Sequence, residues 1–172
     1  MKTIELFCGT KSFSKVAAEL GHETFTIDND PIFEADLTMD IRQMWPVESR
    51  WFGLDVLWAS PPCQGFSVAV IGRNWNHDGT PKTDSARTAM QLAERTLELI
   101  RWMKPKYWLI ENPRAMLRKM PFMEEFLKEM GGGQTDYHIL PVWGYTHEAY
   151  GYFYQLSRLD TTTRLQERRS LP

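Results

Sequence analysis

The chain has 172 residues, of which 42% are hydrophobic and 24% charged, and its formal net charge is −2 at pH 7. This length and composition are typical of one soluble globular domain, and the charge argues against a protein that coats DNA with a uniformly basic surface. Two cysteines are too few for a disulfide framework, which favours a reducing cytosol. No signal peptide is recognisable and no run approaches the ~18 apolar residues of a membrane span, so we expect no membrane association.

The first thirty residues alternate between strand and helix patterns. Residues 3–7 predict a strand that is broken by Gly9, residues 13–20 predict a helix, and residues 24–27 predict a second strand that is followed by Asp28. The apolar positions of the helix are Phe13, Val16, Ala17 and Leu20. This order is typical of the start of a nucleotide-binding βαβ unit. Because one glycine does not make a phosphate cradle, the segment predicts either a site for a ligand without a pyrophosphate or a plain structural turn.

The alternation continues along the chain. The predicted elements are, in order, a short edge element at 36–41, a strand at 55–59, a loop at 67–83, a helix at 85–103, a strand at 107–110 and a helix at 121–130. Asp84 or Ser85 is the expected N-cap of the long helix. Strands that alternate with helices predict an α/β fold with a mostly parallel sheet and helices on both of its faces.

A thiol follows the strand at 55–59, within the segment Ser60-Pro61-Pro62-Cys63-Gln64. The two prolines restrict the backbone, so a stiff, extended turn would present Cys63. A free cysteine has a pKa near ~8.5, so it acts as a nucleophile at neutral pH only when it is held beside its electrophile. The alternative is that Cys63 is a small buried hydrophobic residue.

A carboxylic acid ends the strand at 107–110 in the same way, within Ile110-Glu111-Asn112-Pro113. Because parallel strands collect ligands and catalytic groups at their carboxyl ends, we expect Glu111 and Cys63 to meet at one edge of the sheet. Partial desolvation favours the protonated acid, which can donate a proton to a ring nitrogen. Asn112 and Pro113 are also good helix-start residues, and the two interpretations are compatible.

Together with Glu5-Leu6-Phe7-Cys8-Gly9, these two segments resemble the ordered motifs of the cytosine-C5 DNA methyltransferases. The match covers about residues 3–123 and is most similar to a compact, phage-type branch that includes restriction-modification enzymes. The resemblance implies a Rossmann-like, S-adenosylmethionine-dependent methyltransferase fold. It also implies methyl transfer from S-adenosyl-L-methionine to carbon 5 of a cytosine that is flipped out of DNA.

The resemblance further implies roles for individual residues. Cys63 would attack carbon 6 of the cytosine, and Glu111 would engage ring nitrogen 3. The residues implied to bind the cofactor are Phe7, Gly9, Asp28, Asp40, Ile41, Ser60 and Pro61. The residues implied to contact the substrate are Pro62, Gln64, Asn112 and Arg114, and no metal is expected.

Residues 134–172 depart from the family pattern, because its arginine-bearing segment, target-recognition region and late cofactor stretch are not recognisable there. Codons for residues 141–156, when read from their second nucleotide, are compatible with Gln-Tyr-Gly-Asp-Thr-Arg and a continuation that resembles the missing arginine segment. We therefore hypothesise a frameshift near residues 131–133, with coincidence through codon degeneracy as the alternative. The predicted organisation is a catalytic domain at 1–133 and an out-of-frame, poorly packed tail at 134–172.

Two further functions are compatible with parts of the sequence. One is a non-catalytic remnant that binds cofactor or DNA and needs a partner chain, which the missing arginine segment favours and the intact Cys63 and Glu111 oppose. The other is an amino-methyltransferase acting on cytosine or adenine. Such enzymes resemble this chain in the Ser-Pro-Pro lead but carry an aromatic residue at the position of Cys63.

Overall fold

The computed structural model describes residues 1–45, 53–67, 70–113, 116–130, 136–141 and 150–157. The strands are β1 (Lys2–Leu6), β2 (Glu23–Asp28), β3 (Leu37–Thr38), β4 (Val56–Ala59), β5 (Tyr107–Pro113), β6 (Asp136–Pro141) and β7 (Tyr150–Ser157). The helices are α1 (Ser12–Glu19), α2 (Ile71–Asn74), α3 (Asp84–Met103) and α4 (Pro121–Glu129). None of the helices in these ranges is long and apolar enough to cross a membrane.

The strands form one sheet in the order β3-β2-β1-β4-β5-β7-β6. Strands β1 to β5 pair in parallel, whereas β7 runs antiparallel to both β5 and β6. The direction of β6 is therefore the same as that of β1 to β5, and β7 is the one reversed strand among those described. The predicted mostly parallel sheet is confirmed.

One face of the sheet packs on α1. Glu5 of β1 and Trp58 of β4 are register partners, so their side chains point to the same face. The Trp58 ring stacks on Phe13 of α1 with the centroids 5.0 Å apart. The buried Glu5 carboxylate accepts hydrogen bonds from the backbone N–H groups of Phe13 (3.3 Å) and Ser14 (2.9 Å), so it caps the start of α1.

The opposite face packs on α4. Leu57 of β4 and Trp108 of β5 are register partners. Leu57 precedes Trp58 by one position, and side chains alternate along a strand, so Leu57 and Trp108 point to the face opposite Glu5 and Trp58. The Trp108 ring meets Phe126 of α4 edge-on, with the centroids 5.1 Å apart and an interplanar angle of 62°. The predicted helices on both faces are therefore present.

The predicted apolar face of α1 is only partly buried. Ala17 is buried, but Val16 and Leu20 are 55% and 69% exposed in the described part of the chain. The eight-residue helix turns only a narrow stripe towards the sheet. Val16 and Leu20 lie at its edge, where they line an apolar groove with Trp58.

Two local expectations for residues 67–85 are wrong. The N-cap of α3 is Thr83, whose Oγ1 accepts from the backbone N–H of Ala86 at 3.2 Å, and not Asp84 or Ser85. The expected loop contains the short helix α2, which ends at the buried Asn74 and is followed by the buried Trp75. Burial of these two side chains gives the segment an ordered structure that its glycine and asparagine content does not indicate.

Part of the expected tail belongs to the sheet. Strand β7 pairs with β5 from Tyr107↔Ser157 to Pro113↔Gly151, and β6 pairs with β7. The division of the chain at residue 133 and the altered reading frame beyond it stay predictions.

We expect Leu57→Ala to lower the free energy of unfolding by about 2–5 kcal/mol, because this side chain is 0% exposed at the centre of the sheet and its loss leaves a cavity. Urea denaturation followed by circular dichroism measures the effect. Leu20→Ala is the matched control and is expected to change stability by less than about 0.5 kcal/mol, because Leu20 is exposed. Equal effects of the two substitutions would contradict the assigned core.

Candidate active site

Strand β4 ends beside the carboxyl-terminal part of β5, which continues for three more residues. Ala59, the last residue of β4, is the register partner of Ile110 in β5. The segment that begins at Ser60 therefore leaves the sheet beside Glu111, which is still part of β5 and pairs with Phe153 of β7. Cys63 follows in a 3-10 turn, Cys63–Gly65.

A buried hydrogen bond ties these two segments together. The Asn112 side-chain Nδ2 donates to the carbonyl oxygen of Pro61 at 3.0 Å. Asn112 is 2% exposed, and its Oδ1 has no hydrogen-bond partner within the described ranges. The bond fixes the Pro-Pro-Cys segment against the strand that carries Glu111 without using either reactive group.

Cys63 and Glu111 affect each other electrostatically. Burial raises the pKa of the Cys63 thiol above its ordinary value, and the neighbouring Glu111 carboxylate raises it further. Burial also raises the pKa of Glu111. Both shifts favour the protonated forms, so the site brings together a thiol and a carboxylic acid that can donate a proton.

The turn after β1 has an unusual backbone. Phe7, Gly9 and Lys11 all have left-handed conformations, with φ of 58°, 47° and 59°. This conformation is costly for a residue with a side chain, and such strain is often found at ligand sites. The Gly9 backbone N–H donates to Asp28 Oδ2 at 2.9 Å, so the acid at the end of β2 supports the turn directly.

A cavity of about 100 Å³ opens between this turn and the edge of the sheet. Its lining residues are Phe7, Asp28, Asn29, Met39, Asp40, Ile41, Arg42, Pro62, Thr88 and Leu92. Four of the predicted cofactor residues and one predicted substrate residue, Pro62, are therefore brought together. The sequence reasoning missed Asn29, Met39, Arg42, Thr88 and Leu92, because no local motif identifies them.

Three predicted cofactor residues are not among those that line the cavity. Gly9 holds Asp28 as described above. Ser60 Oγ accepts from the Trp58 indole N–H at 3.0 Å. Pro61 is buried, and its carbonyl oxygen accepts the hydrogen bond from Asn112. Their direct contact with a cofactor stays a prediction.

At the edge of the cavity, Asp40 pairs with Arg42. Asp40 Oδ1 accepts from the Arg42 backbone N–H at 2.9 Å, and both carboxylate oxygens accept from the guanidinium. The hydrogen bonds from the Arg42 side chain hold the pKa of Asp40 below its usual range. The pair therefore fixes the 3-10 turn that places the buried Ile41 beside the cavity.

The residues around the cavity suit a nucleoside. Asp28 uses one lone pair of Oδ2 for Gly9 and one of Oδ1 for the Asp30 N–H at 3.0 Å, so each oxygen can accept another donor such as a ribose hydroxyl. Phe7, Ile41 and Leu92 give an apolar surface for an aromatic ring. Within the described ranges, no group of three His, Cys, Asp or Glu residues is placed to hold a metal ion.

The predicted substrate residues have different positions. Pro62 and Gln64 are exposed on either side of Cys63, where a substrate could reach them. Asn112 is buried and contacts Pro61, so a direct contact between Asn112 and the substrate stays a prediction. Arg114 lies outside the described residues.

The model of the C-5 cytosine-specific DNA methylase family matches residues 1–142. The chain belongs to this family. Membership confirms the resemblance drawn from the three motifs, and with it S-adenosyl-L-methionine as the expected cofactor.

Among individual proteins, the chain is 32% identical over 155 residues to a protein described as a probable DNA (cytosine-5)-methyltransferase of Frog virus 3 (isolate Goorha). The match covers 84% of this chain and 66% of the viral protein.

The fold is similar to that of two solved structures. One is described as a DNA modification methyltransferase encoded within a prophage (E. coli), with a TM-score of 0.61, 20% identity, and coverage of 92% of this chain and 47% of that one. The other is an S-adenosylmethionine-dependent methyltransferase from Agrobacterium tumefaciens, with a TM-score of 0.52, 16% identity, and coverage of 91% and 56%. These likenesses confirm the Rossmann-like methyltransferase fold. The chain thus spans about two thirds of the viral relative's length and about half of the prophage structure's length.

Proposed function

We propose that this chain transfers a methyl group from S-adenosyl-L-methionine to carbon 5 of cytosine in DNA. The observation that carries the proposal is the pairing of a thiol with an acid. Cys63 and Glu111 are electrostatically coupled at the ends of adjacent strands, and the Asn112–Pro61 hydrogen bond holds their segments together. The cavity beside them is lined by an acceptor for ribose hydroxyls, Asp28, and by an apolar surface for an aromatic ring.

The first step requires both groups. The Cys63 thiol loses its proton to solvent, and the sulfur forms a bond to carbon 6 of the ring. The electrons of the carbon 5–carbon 6 double bond move to carbon 4–carbon 5, and those of carbon 4–nitrogen 3 move onto nitrogen 3. Glu111 gives its proton to that nitrogen, so no unstabilised charge accumulates on the ring.

Carbon 5 is now an enamine carbon and therefore nucleophilic. When bound, S-adenosyl-L-methionine supplies the electrophilic methyl group that this carbon takes up, and S-adenosyl-L-homocysteine is left. Loss of the proton from carbon 5 to water then re-forms the carbon 5–carbon 6 double bond and releases the Cys63 thiolate. The thiolate takes a proton back from solvent and the proton on nitrogen 3 returns to Glu111, so the protein is regenerated unchanged.

In this proposal, the residues around the cavity bind different parts of the cofactor. Asp28 accepts hydrogen bonds from the ribose hydroxyls, and Asp40 with Ile41 borders the adenine. The turn at Phe7 and Gly9 brings the backbone close to the ligand, and Ser60 and Pro61 lie towards the methionine end. The left-handed Phe7 and the free acceptor positions on Asp28 support this division.

We expect Asp28→Asn to weaken cofactor binding about 10- to 100-fold, because the ligand loses a hydrogen bond to a charged acceptor and the turn at Gly9 loses its carboxylate partner. Isothermal titration calorimetry with S-adenosyl-L-methionine measures the change. Asp36→Asn is the matched control, because the Asp36 carboxylate accepts two hydrogen bonds from Thr26 and is not part of the cavity lining. Asp36→Asn should lower stability and leave the affinity unchanged, and the opposite pattern would contradict the assignment of Asp28.

The substrate in this proposal is DNA with one cytosine flipped out of the stack, because the ring is inaccessible to Cys63 inside a duplex. Flipping costs roughly a few kcal/mol. The exposed Pro62 and Gln64 flank the thiol where the flipped base would enter, with Arg114 beyond Asn112 in the sequence. The proposed setting is a bacterial or phage-infected cytosol.

The second candidate is the non-catalytic remnant that binds cofactor or DNA and needs a partner chain. The observation in its favour is that the family's arginine-bearing segment is not recognisable in residues 134–172.

One experiment separates the two functions. The chain is titrated with S-adenosyl-L-methionine and then given labelled cofactor and mixed-sequence DNA, with and without 5-fluorocytosine. Labelled DNA and a covalent adduct at Cys63 support the enzyme, whereas cofactor binding without label or adduct supports the remnant.

The organisation of residues 134–172 as an out-of-frame tail has a direct test. We expect the nucleotide sequence of residues 141–156, read from the second position of each codon, to encode the arginine-bearing segment. Restoring that frame is expected to increase the affinity for DNA in a filter-binding assay. Codons that cannot encode the segment would refute the frameshift.

A further inference from the structure

The 3-10 turn that carries Cys63 is held at its far end by two side chains. The carbonyl oxygen of Gly65 accepts the indole N–H of Trp75 at 2.7 Å and the amide Nδ2–H of Asn74 at 3.3 Å. Both donors are buried. They come from the end of α2, a segment that the proposed chemistry does not use, and they meet at one oxygen within two residues of the thiol.

The opposite side of the turn is closed by α3. A Cβ atom added to Gly65 would lie 2.3 Å from the Ala89 Cβ and 3.2 Å from the Ser85 carbonyl oxygen, closer than packed atoms allow. The Cys63–Gly65 turn is therefore confined between α3 on one side and the Trp75 and Asn74 donors on the other. Only glycine fits at this position because the backbone itself contacts the helix.

The two donors are fixed by contacts of their own. The Trp75 ring stacks on Phe66, the residue that follows the turn, with the centroids 5.4 Å apart and an interplanar angle of 16°. Asn74 Oδ1 accepts the Thr83 hydroxyl at 3.2 Å, and Thr83 is the N-cap of α3. The hydrogen bonds thus connect the start of α3 to the turn that carries the thiol.

We propose that Trp75 and Asn74 are positioning residues that set the orientation of the Cys63 thiol through the Gly65 carbonyl, a role that rests on the proposed function of Cys63. Neither side chain is among the residues that line the cofactor cavity. Their effect on the reaction follows from the precision that bond formation requires. The attacking sulfur must be placed to within a fraction of an ångström relative to the ring, and a small displacement lowers the rate strongly. Two donors on one carbonyl oxygen remove the rotation that would allow such a displacement.

Trp75→Phe tests this role, because it removes the N–H donor and keeps an aromatic ring for Phe66. We expect kcat to fall about tenfold while KM for S-adenosyl-L-methionine stays within about twofold. In the free protein, release of the turn should expose the thiol to water. The pH at which iodoacetamide alkylates Cys63 at half its maximal rate should then shift downwards, because burial is what raises the pKa of this thiol.

Trp108→Phe is the matched control, since it removes the same volume from a buried tryptophan that contacts Phe126 instead. It should lower stability and leave both the kcat and the alkylation profile of Cys63 unchanged. Asn74→Ala removes the second donor and should act in the same direction as Trp75→Phe, so it replaces that variant if Trp75→Phe does not fold.

Wild-type values of kcat and alkylation in both Trp75→Phe and Asn74→Ala would overturn the proposal. Shifts of the same size in Trp108→Phe would also overturn it, because they would assign the effect to loss of packing. If the wild-type chain transfers no methyl group, the proposed function fails, and the alkylation profile still decides whether Trp75 and Asn74 hold the thiol.

Discussion

Replacing Cys63 by alanine is expected to reduce methyl transfer to DNA at least ~10³-fold, because alanine has no sulfur to form the bond to carbon 6. Incorporation of labelled methyl groups into DNA measures the loss, and 5-fluorocytosine DNA should trap no covalent adduct. Cofactor affinity should be unchanged, because Cys63 is not among the residues that line the cofactor cavity.

Cys8 provides an internal reference for the same experiment. Burial, followed by the charges of Asp28 and Glu5, raises the pKa of Cys8 to about 11. Cys8 should therefore stay protonated and resist iodoacetamide at mildly alkaline pH, while Cys63 reacts. Undiminished turnover in Cys63→Ala, or an adduct that maps to Cys8, would refute the covalent mechanism.

Replacing Glu111 by glutamine is expected to lower kcat about 10²- to 10⁴-fold, the usual effect of removing a general acid. The amide keeps the shape of the side chain and can still donate a hydrogen bond, but it cannot give a proton to nitrogen 3. Single-turnover kinetics on DNA measures the chemical step. Glu94→Gln is the matched control, because burial also raises the pKa of Glu94 and this residue is not part of the site.

The same substitution should make Cys63 more reactive towards a small reagent. The Glu111 carboxylate is the second cause, after burial, of the raised pKa of Cys63. Its removal lowers that pKa, so more thiolate is present at a pH below it and iodoacetamide alkylation becomes faster. Slower methyl transfer with faster alkylation is specific to a thiol–acid pair. Parallel loss of both rates would indicate a damaged fold instead.

The sequence predicted the meeting of Cys63 and Glu111 because the parallel sheet forces it. Each residue follows an apolar strand, and the carboxyl ends of neighbouring parallel strands lie at one edge. The buried hydrogen bond from Asn112 to Pro61 was not predicted. It joins two residues far apart in the chain, and neither the composition nor the spacing of the motifs encodes the direction of an amide side chain.

The residues that sequence reasoning missed share one property, which is that their role depends on distant contacts. Trp75 and Asn74 stand in a segment of loop composition, and only the packing of α3 against Gly65 brings them to the turn. Arg42 and Leu92 line the cofactor cavity from separate elements for the same reason. Val16 shows the opposite error, because its helical spacing predicted burial but α1 is too short to cover it.

The register between β4 and β5 has a consequence for how the chain tolerates insertions and deletions. Ala59 opposes Ile110, and the thiol segment and Glu111 begin one residue later. The parts of the connection between these strands that do not hold the thiol turn can therefore change in length without altering the distance between the two reactive groups. A single residue inserted within β5 would turn Glu111 to the other face of the sheet, since side chains alternate along a strand. The distance between the thiol segment and Glu111 is thus determined by the backbone pairing of β4 with β5. We expect insertions and deletions only in the segments between the strands.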